Sequence, residues 1–68
     1  MLFRSRLDIL HEAAAYRMEQ HRFDDAADRL SAIPKDQATA VTHFLLGKAL
    51  AGLGLLDRAV AHLRRAVK

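Results

Sequence analysis

Apolar residues recur at steps of three and four in four separate stretches of the chain, a spacing that gathers side chains on one face of a helix. Leu7, Leu10, Ala14 and Met18 mark the first, predicted over about residues 3–20 and ending in the polar run Glu19-Gln20-His21-Arg22. Phe23, Ala26, Ala27, Leu30 and Ile33 mark the second. It opens near Asp24, where Asp24, Asp25 and Asp28 suit the positive end of a helix. Pro34 stops it, because the residue before a proline is pushed out of the helical region. Pro34-Lys35-Asp36 reads as a turn, with Asp36 the expected N-cap of a third helix over about residues 37–53 that carries Val41, Phe44, Leu45, Ala49 and Leu50. Gly52 and Gly54 flank its end and supply the left-handed backbone a tight turn needs. The fourth helix begins near Leu56 and carries Ala59, Val60, Leu63 and Val67. Connections this short force neighbouring helices to run antiparallel. The expectation is one all-α domain over residues 1–68, built from two consecutive helical hairpins at about 3–33 and 37–67.

The two halves resemble each other. Sliding the chain by 33 residues lays Phe23-Asp24-Asp25-Ala26 over Leu56-Asp57-Arg58-Ala59, Leu30 over Leu63 and Ala14 over Gly47. The identities are few, but each falls where paired helices need a particular side-chain size. Self-similarity at this period is a mark of repeat architectures.

The second half, residues 40–68, resembles a tetratricopeptide repeat on Leu46-Gly47, Leu50, Gly54, Leu56, Ala59, Leu63 and Ala66. Small residues at 47, 59 and 66 would let the helices of a hairpin approach, and the leucines would fill the seam with its neighbour. The first half is a divergent version: Leu10, Ala13-Ala14, Phe23, Ala26 and Leu30 agree with the pattern. Arg17 stands where a large apolar residue is expected, His21 replaces the turn glycine and Pro34 arrives early. In the second half His43 occupies a position where a bulky apolar residue is common.

This resemblance implies a fragment of a right-handed α-solenoid that acts as a protein-binding scaffold. The family binds peptides or partner helices in a groove lined by the first helix of each hairpin. Carried over by position, the lining would be Asp8, His11, Glu12, Ala15 and Met18, then Val41, Phe44, Leu45, Lys48 and Ala51. The core of that set is His11, Ala15, Met18, Val41, Phe44, Leu45 and Lys48. An amphipathic helix or apolar strand would suit it, with Lys48 meeting a carboxylate. The cationic clamp that some members use to hold chaperone tails is not expected, since His11, Ala15 and Leu45 occupy its positions.

Repeat units bury their apolar faces against neighbours, and about three are usually needed. Two leave a face open. Val60, Leu63 and Val67 share a stripe on the fourth helix with no later element to cover them, so they are covered by the same hairpin or by another chain. Burial stabilises by roughly 25 cal/mol per Å² of apolar surface, which favours self-association. The expectation is a homodimer, or a piece of a longer array.

Composition narrows the remaining classes. A chain of 68 residues without cysteine has no disulfide or thiolate metal site to reinforce a small core. Its net charge is +3, unevenly placed: up to Pro34 there are five basic and six acidic residues, and from Lys35 onward six basic and two acidic. Arg64, Arg65 and Lys68 at the end of a helix complement its dipole. No enzyme is expected. Ser5, Ser31, Thr39 and Thr42 have no base or glycine-rich turn beside them, and no phosphate loop or dinucleotide fingerprint is present. The four histidines are spaced without an i,i+4 pair, so no metal or other cofactor is expected. The alternative from another class is a small helix-turn-helix DNA-binding protein. Against nucleic acid stand the three arginines of the fourth helix as its only readers and the aspartates of the second. No apolar run approaches the roughly 20 residues that span a bilayer. Residues 1–6 have basic side chains without an apolar stretch behind them, so no membrane association is expected, and a cytoplasmic location is.

Overall fold

The computed structural model describes residues 5–67, which form four α-helices and no strand. They are α1 (Arg6–Glu19), α2 (Phe23–Ser31), α3 (Ala40–Gly52) and α4 (Leu56–Ala66). The all-α class and the order of helices are as expected; the predicted start near Phe3 and the basic residue Lys68 lie outside the described residues. No described helix is long and apolar enough to cross a membrane.

Two of the helices, α1 and α3, start on side chains that satisfy free amides, and α2 and α4 start without a side-chain cap. Ser5 caps α1 with a reciprocal pair: its hydroxyl accepts from the Asp8 amide at 3.1 Å, and the Asp8 carboxylate accepts from the Ser5 amide at 3.3 Å. Thr39 does the same for α3, exchanging bonds with Thr42 at 3.1 and 3.4 Å. Asp36 is therefore not the cap of the third helix, which begins three residues later than expected. The Pro34 carbonyl accepts from both Gln37 and Ala38, at 2.9 and 3.0 Å, and closes a separate turn that contains Asp36. At the start of α2 the Asp24 carboxylate accepts from the Asp25 amide at 2.8 Å, and Asp25 receives Arg17 of α1 at 2.8 Å and Arg29 of its own helix at 3.3 Å.

The turns that join α1 to α2 and α3 to α4 are copies of one another. After α1, Arg22 N–H donates to the Arg17 carbonyl at 2.9 Å and His21 N–H to Met18 at 2.9 Å. After α3, Leu55 N–H donates to Leu50 at 2.9 Å and Gly54 N–H to Ala51 at 3.0 Å. Among the described residues His21 and Gly54 are the two left-handed ones, at φ 60° and 80°. The next residues, Arg22 and Leu55, match at φ −95°, ψ 63° and φ −87°, ψ 67°. Every pair is 33 apart, so the repeat in sequence is a repeat in backbone. A side chain at Gly54 would meet nothing within 4 Å, leaving only the conformational cost. Gly54→Ala is expected to destabilise by about 1–2 kcal/mol, lowering the melting temperature by roughly 4–8 °C per kcal/mol.

Between the helices lies a core of small residues. Among the described residues, Ala14, Ala26, Ala27, Ala49 and Ala59 are buried with four larger aliphatic side chains, Leu30, Ile33, Leu46 and Leu50, and with His11 and Thr42. Alanine at the contact points lets helix axes come close. Glycine goes further: at Gly47 a methyl group would sit 2.8 Å from Leu63 Cγ and 3.2 Å from the Ala59 carbonyl oxygen. Gly52 likewise leaves room for the Phe23 ring. The helix α3 packs against all three others, and α1 also packs against α2; α4 packs only against α3 among the described helices.

Candidate interaction surface

Two clefts follow the boundary between α1 and α3. One, of about 400 Å³, is lined by Leu7, Asp8, His11 and Glu12 on one side and Thr39 and Val41 on the other. The second, of about 240 Å³, is lined by Ala15, Met18, Glu19 and Phe23 opposite Leu45 and Lys48. Of the residues carried over as groove lining, Ala15, Met18, Leu45 and Lys48 thus meet at one cleft, and His11 and Val41 at the other. Carboxylates stand on the α1 side and aliphatic side chains on the α3 side. Phe44 lines neither cleft. It is half-exposed, and Lys48 Nζ lies over its ring at 5.5 Å from the centroid, a cation–π contact along one helix face.

His11 is 7 % exposed, and its Nε2 shares a 2.6 Å hydrogen bond with the Thr42 hydroxyl. It touches the cleft but serves as a tie between α1 and α3, with its polar atom already satisfied. The sequence position alone makes it look like open lining, because burial by a residue 31 positions away leaves no local mark.

The stripe expected on α4 divides. Val60 and Val67 are open, at 46 % and 86 % exposure, and Leu53, Leu55 and Leu56 at and after the preceding turn are exposed as well. Leu63 instead turns into the α3–α4 seam against Gly47. It is half-buried there, because Gly47 leaves the space that a side chain would otherwise fill.

A histidine pair joins two helices and leaves no mark along either one. His43 of α3 and His62 of α4 approach with Nδ1 atoms 3.2 Å apart and ring centroids 5.5 Å apart. The difference between those distances is accounted for by the two ring radii, so both nitrogens lie on the line between the centroids. The rings therefore meet edge to edge in an N–H···N bond rather than stacking face to face. Among the described residues no three His, Asp or Glu side chains gather around a metal position. The signal that could have found the pair is the helix seam: Gly47 against Ala59 brings 43 opposite 62 one turn further along.

Burial, then the charges of His43 and Arg65, hold His62 below its ordinary value near 6.5. The folded chain thus binds that proton less readily than the unfolded chain. Its contribution to stability is complete above pH 6.5 and is lost as the pH falls through 6.5 toward the lowered value. Urea midpoints measured on either side of 6.5 should drop on the acid side, and the drop should be smaller in His62→Gln. Comparison of the chain with protein-family models, with curated proteins and with solved structures gives no match.

Proposed function

We propose that this chain is a non-catalytic protein–protein interaction module of tetratricopeptide type, two stacked antiparallel hairpins that take a partner segment along the α1–α3 clefts and self-associate through the aliphatic face of α4. The observation that carries the reading is the repeated turn, in which hydrogen bonds and dihedral angles recur with a 33-residue step. The motif residues of the second half also act as small-for-large contacts: Gly47 accommodates Leu63, and Ala59 is buried. An antiparallel α3–α4 pair is supported by its register, since 43 meets 62 while 47 meets 59. A parallel run of α1 beside α3 is supported by the clefts, where 8 and 11 lie near 39 and 41, and 15 and 18 near 45 and 48.

Glu19 and Lys48 share one cleft, beside Leu45 and Met18. Such a surface suits an apolar segment that carries charge of both signs at its edge. A partner isolated by affinity capture should bind Lys48→Glu at least tenfold more weakly, with an unchanged circular dichroism spectrum. Undiminished binding moves the partner site away from the clefts.

A further inference from the structure

We infer that copies of this chain associate head to tail, the outer face of α1 on one copy docking against α4 of the next in the register by which α3 docks on α2 within the chain. This rests on the reading of the chain as an assembly module and names the occupant of its free faces as a second copy.

The 33-residue repeat relates buried positions at the α2–α3 junction to exposed positions at the two ends of the molecule. On α2, Phe23 packs against Gly52 and Ala27 is 7 % exposed. Thirty-three positions later, Leu56 is 64 % and Val60 46 % exposed. On α3, Thr42 and Ala49 are buried at 2 % and 0 %. Thirty-three positions earlier, Ile9 is 53 % and Tyr16 61 % exposed. One end of the molecule thus has the surface that α2 turns toward α3. The other end has the surface that α3 turns toward the preceding unit. Each face is complementary to the other rather than to itself.

A heterologous contact of this kind does not close in a pair of copies, so addition continues.

Ile9→Glu removes the α1 face and Val60→Glu the α4 face, both at exposed positions, with circular dichroism to check that the helices are retained. The wild-type mass in light scattering should rise past that of a dimer with concentration. Each variant alone should stay at monomer mass. An equal mixture should give a species of two chains, because the intact α1 of the Val60→Glu copy docks on the intact α4 of the Ile9→Glu copy. A wild-type dimer untouched by Ile9→Glu, or a mixture that remains monomeric, overturns head-to-tail docking. The former favours two-fold pairing through α4 and leaves the assembly reading in place. A wild type that is monomeric at every concentration overturns self-association altogether, while the clefts are judged separately by Lys48→Glu.

Discussion

Leu30→Ala is expected to remove about half of the stability of the fold. Leu30 is 2 % exposed and is the largest fully buried side chain, in a core otherwise made mostly of alanine. Truncating a buried leucine costs about 2–5 kcal/mol, from lost transfer energy and the cavity left behind. Domains hold roughly 0.05–0.15 kcal/mol of stability per residue, so for a chain this short the loss is about half of what is available. Neighbouring alanines have no side-chain length with which to refill the space. Urea unfolding followed by circular dichroism measures the effect, and a midpoint within error of wild type would contradict this account of the core. Val67→Ala, at an 86 % exposed position, is the control that should leave the midpoint in place.

Gly47→Leu is expected to separate α4 from α3. The first carbon of any side chain at this position already stands 2.8 Å from Leu63 Cγ and 3.2 Å from the Ala59 carbonyl oxygen. Leu63 can rotate aside, but the carbonyl belongs to the α4 backbone and moves only if the helix does. For Gly47→Ala, the gain in helix propensity, about 1 kcal/mol, opposes a clash of similar size, and the net change should be small. Leucine adds three more carbons in the same direction, and overpacking of about 1–3 kcal/mol then prevails. Since α4 packs on no other described helix, the expected result is loss of helical signal and new protease sensitivity after Gly54, with α1 to α3 retained. An unchanged melting temperature would remove the close α3–α4 seam from the description.

Much of the fold was legible because its signals are local. Pro34, the aspartates at the start of α2 and the apolar spacing are enough to separate four helices. The start of α3 was not, since Asp36 has the chemistry of a cap and only the capture of two amides by the Pro34 carbonyl disqualifies it. Thr39 was the better choice, with another threonine three residues on, but without the acid that makes such a pair conspicuous. His21 stood out as a misplaced glycine; its φ of 60° shows that the turn is kept at some conformational cost. The candidate surface was only partly readable, because burial of His11 by Thr42, of Leu63 by Gly47 and the meeting of His43 with His62 depend on residues 16 to 31 positions apart. Periodicity along one helix states which face is apolar and not which neighbour covers it.

The single neighbour of α4 has a consequence for motion. A helix held along one seam opens without disturbing the rest of the molecule, so its amide protons should exchange with solvent deuterium at a lower free energy than those of α3, which is gripped on three sides. Docking of a second molecule on the outer side of α4 would close that route. If the chains associate as proposed, the exchange rate of a few α4 amides would serve as a meter of that assembly, slowing with concentration while the amides of α3 keep their own pace.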